Sequence, residues 1–384
     1  MTDLLFELTN EQRKYLGLVQ VEKHWELVKL NDMYLYFDGD TIRKKIKVNN
    51  NSYLEQELCE RTAENRTILQ PKTEKGKPKK LNFTATQSFS PFGVYFSFEE
   101  KYLCIANYTT QTTYFGESFD SEKNITDLQM WLEQWVADST DGDLQEIEAF
   151  KTAKRQHCKF KEGDFFAFKV GRRHWGFGRI LIDVDKLKKT EEFKKQNNYG
   201  LSKIMCKPLI VKVYHKISDT LNVDLSELKK CMSLPSQSIM DNHFYYGESK
   251  IIGHQDLAID EYDMLISYSG SDTYGIADPI YLQYGLIYKE TSKKKFTKYL
   301  KQDMNNGSCE YNPYRNEAIG FGLEVDKLRK CVELQSNLPF WNSGNYFRER
   351  DLRNPKNVEI KREIFRAFGL DADKSYAENL RLQK

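Results

Sequence analysis

The feature that most constrains the fold is a pair of strand-like segments rich in glycine and aromatic residues. The first spans residues 160–168 and the second spans residues 175–183, and apolar residues alternate or run through both. The polar residues between them supply turn chemistry, so the two segments are predicted to form a β-hairpin. Gly176 and Gly178 flank one aromatic residue in the second segment. Because glycine weakens a strand, this pair predicts a bulge or a close approach by another group.

The length and composition predict two modules. The chain has 384 residues, of which 40% are hydrophobic and 13% aromatic, which is enough for a large core. We place the boundary near residue 152, which gives an N-terminal module over 1–152 and a β-rich domain over 153–384. The fold class that we expect is α+β, strand-dominated, with mixed or antiparallel twisted sheets and peripheral helices.

In the first module, β-rich segments come before helices. The predicted strands are residues 25–30, 34–37, 41–48, 92–98 and 102–108. Asn124 can cap a helix that runs from Ile125 to about Ala137, because apolar residues recur there at three- and four-residue spacing. Polar residues 139–143 are expected to break this pattern before a short helix that starts at Leu144.

In the second module, the hairpin is followed by further strands and helices. Residues 208–214 form a short apolar run that fits a buried strand, and Asp224 can cap a helix that extends to residue 232. The aromatic run at residues 244–247 is predicted to begin another strand. The tail over residues 359–382 should be helical and packed against the core.

The composition and the cysteine pattern indicate the cell compartment and whether a cofactor is expected. No apolar run approaches the roughly 18 residues that span a membrane, and the first residues are acidic where a signal peptide would be basic. The seven cysteines are scattered and never form a Cys-x-x-Cys pair. We therefore expect a cytoplasmic protein with buried, reduced cysteines, no zinc site and no cofactor.

Charge is segregated along the chain although the formal net charge is only +2. Residues 117–148 carry ten acidic residues and one basic residue, and no Lys or Arg lies between Lys250 and Lys289. Basic stretches occur at 72–80, 293–301 and 348–366. Because the whole chain is nearly neutral, nucleic-acid binding is the less favoured interpretation of these stretches.

The strong enzyme signatures are missing from the sequence. It contains no zinc-protease, P-loop, nucleophile-elbow or dinucleotide-binding motif, so we predict no catalytic residue. His215, His243 and His254 with Asp256 could in principle converge as a metal site. Structural histidines are the favoured interpretation, so no metal ligand is predicted.

Several short motifs nevertheless carry a family resemblance. They lie at residues 161–166, 176–180, 208–214, 247–253 and 281–285, where glycines and aromatic or β-branched residues recur. Together they resemble the immunity protein 26 family of bacterial polymorphic toxin systems, which is often labelled jointly with a phosphotriesterase. The resemblance implies that the chain neutralises a partner toxin by binding it.

Candidate toxin-binding residues follow from the chemistry of protein interfaces, which favour Trp, Tyr and Arg surrounded by charged residues. One group lies at the tip of the first hairpin, where burial is least expected, a second is an acidic segment, and the third is a single tryptophan. These residues are Arg172, Arg173 and Trp175; Asp260, Glu261 and Asp263; and Trp341.

The leading functional hypothesis is an immunity protein that neutralises a cognate toxin by stoichiometric binding, with no membrane partner. A phosphotriester or phosphoester hydrolase is the alternative, and it would lose turnover on substitution of His215, His243 or His254. A nucleic-acid-binding regulatory protein is the third hypothesis. If the toxin is a basic nuclease, residues 117–148 and 256–278 become the better contact predictions.

Overall fold

The structure is a computed structural model that describes residues 4–70, 73, 75–272, 278–303, 309–317, 320 and 323–382. The chain divides into two compact units. The first comprises Met1–His157 with Tyr246–Glu248, and the second comprises Cys158–Tyr245 with Ser249–Lys384. Both units combine antiparallel sheets with helices, which confirms the predicted α+β class.

The first unit is built on one nine-stranded sheet with the order β1-β2-β3-β4-β7-β8-β9, in which β5 pairs with β4 and β6. Its strands are β1 Glu26–Leu30, β2 Met33–Asp38, β3 Thr41–Asn49, β4 Ser52–Ala63, β5 Ile68–Gln70, β6 Lys79–Lys80, β7 Phe92–Glu99, β8 Tyr102–Asn107 and β9 Thr112–Ser118. The strands predicted from the sequence are all present. Each neighbouring pair is antiparallel, including β4 and β7, which are not consecutive in the chain.

Four helices accompany this sheet: α1 Asn10–Tyr15, α2 Phe83–Thr86, α3 Ile125–Ala137 and α4 Asp141–Thr152. The predicted cap of α3 is confirmed, since Asn124 accepts hydrogen bonds from the amides of Thr126 at 2.8 Å and Asp127 at 3.2 Å. The predicted start of α4 was wrong. Thr140 and Asp143 form a capping box, so the polar residues expected to break the pattern begin the helix instead.

The described residues of the second unit form three sheets. The largest has the order β13-β12-β11-β10-β14, and β15-β16-β17 and β18-β19 form the others. The strands are β10 Asp164–Lys169, β11 Trp175–Asp183, β12 Pro208–Ser218, β13 Gln237–Met240, β14 Lys250–His254, β15 Ile266–Gly270, β16 Ile280–Tyr284, β17 Ile287–Thr291, β18 Lys301–Asp303 and β19 Cys309–Tyr311. Strands β10 and β11 are the predicted hairpin.

The two glycines of β11 lie where the strand is crowded and irregular, as the sequence predicted. A Cβ on Gly176 would lie 2.7 Å from Cζ of Phe168, and one on Gly178 would lie 2.8 Å from the carbonyl oxygen of Lys212 and closer still to the ring of Phe166. The pairing of β11 with β12 also shifts register between the two glycines. Both a bulge and a close approach are therefore present.

Ten helices lie among the described residues of the second unit. They are α5 Val184–Leu187, α6 Glu191–Lys194, α7 Tyr199–Ser202, α8 Leu225–Lys230, α9 Asn242–Tyr245, α10 Val325–Leu334, α11 Leu338–Trp341, α12 Tyr346–Glu349, α13 Val358–Ala367 and α14 Tyr376–Arg381. Asp224 caps α8 as predicted. The tail is helical in two pieces, α13 and α14, and buries Ile364 and Phe365.

Two expectations from the sequence, one about residues 244–247 and one about the cysteines, were wrong. The aromatic run at 244–247 does not begin a strand, because the amides of Phe244 and Tyr245 donate to the carbonyl of Asp241 at 2.9 and 2.8 Å and close the turn of α9. The cysteines are free but not all buried. Cys59, on an outward position of β4, and Cys206, in the connection before β12, are both exposed.

Candidate functional site

The first candidate group lies at the turn between β10 and β11. Arg173 is exposed and Arg172 is partly buried, as expected for a hairpin tip. Trp175 is only 8% exposed, so the expectation that it lies where burial is least was wrong. It is the first residue of β11, and the centre of its ring lies 4.5 Å from the ammonium of Lys169 on β10 and 4.7 Å from the ammonium of Lys250 on β14. Cation–π contacts hold this tryptophan in the sheet.

The acidic segment 256–263 contains residues of two kinds. Asp256 and Asp260 are exposed carboxylates. Glu261 has a side chain only 12% exposed, and it forms ion pairs with Arg179 and, at 2.9 Å, with Lys229. Burial alone would raise the pKa of Glu261, but the backbone amide of Ala258 and the two cations lower it to about 2. Glu261 therefore anchors the segment.

Arg179, at the centre of β11, holds this segment in place. Its guanidinium has no exposed surface, lies 4.5 Å from the centre of the Phe165 ring, and donates to the carbonyls of Gln255 at 2.8 Å and Asp256 at 3.2 Å. Arg179 was not among the candidate residues predicted from the sequence. The available signal was a charged residue within an otherwise apolar strand, which is rarely buried unless it is paired. We call residues 255–261 the acidic loop.

The structure brings together two candidates that are distant in sequence. Asp263 and Trp341 line one cavity of about 330 Å³, along with Tyr284, Arg353 and Lys361. We call this cavity the Trp341 cleft. Trp341 itself is 6% exposed, so it forms part of the wall.

Charge in the Trp341 cleft is largely paired. Arg353 binds the carboxylate of Asp351 at 2.7 Å and the hydroxyl and carbonyl of Ser236 at 2.8 and 3.0 Å. Asp263 accepts a hydrogen bond from the amide of Ser236 at 2.6 Å and lies 3.6 Å from Arg353. Burial would lower the pKa of Arg353, but these carboxylates hold it above its usual value. Asp263 is therefore also anchored, although its side chain is 39% exposed.

An apolar rim lies beside this cleft. Leu334 at the end of α10 is 66% exposed, Leu338 at the start of α11 is 58% exposed, and Met232 is 48% exposed. The side-chain amide of Asn337 donates to the carbonyl of Ser233 at 2.9 Å, which joins the start of α11 to the segment that carries Met232. Exposed apolar side chains placed this way suit contact with another protein.

The acidic stretch at 117–148 belongs to the first unit, where β9, α3 and α4 carry it. Asp127 and Asp143 complete the capping boxes of the two helices, so they serve the fold. Asp120, Glu133 and Asp141 are exposed. The stretch therefore presents exposed carboxylates on the first unit. Within the basic stretch 72–80, residues 72 and 74 lie outside the described residues.

The histidines have separate hydrogen-bond partners. The ring of His254 lies 2.7 Å from Asp164 and 3.1 Å from Asp256, whereas His215 contacts Asn337 at 2.8 Å. His243 lies in α9. Across the described residues, no group of three or more His, Cys, Asp and Glu side chains is arranged to hold a metal ion. Nor does any helix in the described part of the chain have the length and apolar character to cross a membrane.

Comparison with known families gives one finding. Residues 161–273 match the model of the family described as immunity protein 26. This confirms the resemblance seen in the motifs of β10, β11, β12 and β14, and it supports an immunity protein role. The matched segment includes the whole five-stranded sheet and the acidic loop. Searches of curated proteins and of solved structures gave no significant match.

Proposed function

From the match of residues 161–273 to the immunity protein 26 family model, we propose that this chain protects its producer by neutralising a toxin through stoichiometric binding. The family match carries the proposal. Inhibition by binding needs a stable scaffold and a complementary surface, and it needs no reactive centre. The continuous burial of β11 supplies such a scaffold within the matched segment.

The acidic loop is the surface of the matched segment that best suits this role. Asp256 and Asp260 are exposed. Arg179 fixes the start of their loop by donating hydrogen bonds to the carbonyls of Gln255 and Asp256. A loop that is already ordered loses less conformational entropy on binding, and two exposed carboxylates would speed encounter with a basic partner. Glu261 contributes by holding the loop, so we assign it no direct contact.

The other candidates are secondary contact surfaces. At the hairpin tip, Arg173 offers more surface than the buried Trp175. At the Trp341 cleft, the exposed rim residues Leu334 and Leu338 are more accessible than Trp341 itself. Side chains that are exposed in the free protein and become buried in the complex contribute most to binding. Arg173 and Leu338 are therefore the residues to substitute at these two surfaces.

The test is co-expression of the chain with the toxin encoded beside it. We expect restored growth and a complex of fixed stoichiometry on co-purification. Asp260→Lys should weaken this complex, whereas the matched charge reversal Asp219→Lys should not, because Asp219 is an exposed acid outside the acidic loop. Failure to bind any adjacent toxin would contradict the proposal, as would turnover of an aryl phosphotriester that is lost in His254→Ala.

A further inference from the structure

Lys361 and Tyr284 line the Trp341 cleft with hydrogen-bond donors that the described part of the fold does not use. The Nζ of Lys361 makes no hydrogen bond or ion pair with the described residues, and it lies 5.1 Å from the centre of the Phe365 ring. The hydroxyl of Tyr284 likewise makes no hydrogen bond to the described residues, although its ring packs against Phe365 and Tyr376. Both side chains line the cavity.

The remaining polar groups of the cleft are largely committed. Arg353 is held by Asp351 and Ser236, and Asp263 accepts from the amide of Ser236. Lys361 and Tyr284 thus keep unused donors, and Lys361 carries a positive charge. Burial, followed by the charge of Arg353, lowers the pKa of Lys361, and the nearby carboxylates of Asp373, Asp351 and Asp263 offset this only in part.

The size and the apolar lining of the Trp341 cleft limit which ligands can fit. The cavity measures about 330 Å³, and Met264, Ile266 and Trp341 supply apolar surface. Pockets for small ligands span roughly 300 to 1,000 Å³, so this one suits a compact group. A carboxylate is the anion that matches one ammonium and one hydroxyl donor, because its two oxygens can accept from both at once.

We propose that the Trp341 cleft binds the carboxylate of a small apolar acid, either free or at the C-terminus of a polypeptide. One oxygen accepts from Lys361 and the other from Tyr284, and the apolar body packs against Trp341 and Met264. The site lies largely outside the acidic loop, and its existence does not depend on the proposed toxin-binding function.

Calorimetric titration of the whole chain tests the inference with two pairs of probes. The first pair is N-acetyl-L-leucine and its carboxamide, and the second is a short peptide ending in leucine with a free or an amidated C-terminus. Saturable binding of the free acid, or of the unamidated peptide alone, is expected, and the result identifies the source of the carboxylate. Equal binding of acid and amide within a pair, or no saturable binding of any probe, would overturn the proposal.

Variants distinguish this site from nonspecific attraction. Lys361→Met should weaken binding by roughly tenfold to a hundredfold, because a hydrogen bond to a charged group is lost. Tyr284→Phe keeps the ring and should weaken binding by roughly three- to tenfold. Lys356→Met is the control, because Lys356 is exposed and does not line the cleft. Unchanged affinity in folded Lys361→Met, confirmed by its circular dichroism spectrum, would also overturn the proposal.

Discussion

Arg179 and Glu261, 82 positions apart in the chain, form an ion pair inside the second unit, with side chains 0% and 12% exposed. Because of this contact, Glu261, which was predicted to be a surface contact residue, anchors the acidic loop instead. The contact leaves the neighbouring Asp260 exposed on a loop whose backbone Arg179 also binds. Replacing either partner would leave a charge in a poorly solvated place.

The first prediction concerns this pair. Glu261→Gln should lower the free energy of unfolding of the second unit by roughly 3 to 5 kcal/mol, because Arg179 loses its buried counter-charge. Asp260→Asn is the matched control and should change it by less than about 0.5 kcal/mol, as is usual at the surface. Urea denaturation measures both, and similar losses in the two variants would contradict the assignment of Glu261 as an anchor.

A pH dependence follows from the same carboxylate. Its pKa in the folded chain is lowered to about 2, so the pair stabilises the fold at pH values above the unfolded pKa of about 4.3. This contribution is lost progressively as the pH falls from that value towards 2. Melting temperatures measured across this interval should fall more steeply for the unmodified chain than for Glu261→Gln. Parallel curves would show that Glu261 does not titrate as the geometry implies.

Alanine substitutions at two glycines should change the free energy of unfolding in opposite directions. Gly178→Ala places a methyl group against the Phe166 ring and 2.8 Å from the Lys212 carbonyl oxygen, so we expect a loss of roughly 1 to 3 kcal/mol. In Gly142→Ala the nearest atom would be the Thr140 hydroxyl oxygen at 3.6 Å, and a gain of up to about 1 kcal/mol is expected in α4. Thermal unfolding of each variant checks the sign. Tolerance of Gly178→Ala would show that the crowding can relax.

The first unit contains its own buried charge cluster. Glu55 has no exposed surface and pairs with Lys44 at 2.6 Å and with Arg13 at 2.9 Å. Glu55→Gln should destabilise this unit by roughly 3 to 5 kcal/mol, because the buried Lys44 loses its counter-charge and Arg13 keeps only that of Glu7.

The exposed pair of Asp32 and Lys47, 3.6 Å apart, supplies the control for that cluster. Asp32→Asn should cost less than about 1 kcal/mol, since water screens the pair. Chemical denaturation compares the two variants, and equal costs would contradict the predicted difference between buried and exposed pairs.

Most elements were predictable because their signals are local. The cap at Asn124 and the alternation in β10 and β11 depend on residues within a few positions, and Gly176 and Gly178 predicted a crowded strand that the structure confirms. Local signals also misled in places. The turn at residues 244–247 depends on backbone hydrogen bonds that residue type alone does not specify, whereas the capping box of Thr140 and Asp143 at the start of α4 was a sequence signal that the prediction missed.

Local patterns were enough to predict the α+β class, most strand and helix positions, and the family resemblance of residues 161–273, because short-range periodicity and motif spacing encode them. Which charged side chains face solvent depends instead on contacts between distant parts of the chain. Asp260 and Glu261 are adjacent, yet only one is exposed, because Arg179 approaches from a distant strand. The Trp341 cleft arises in the same way, since it gathers residues from 233 to 361, and contacts across such separations leave no periodic trace in a single chain.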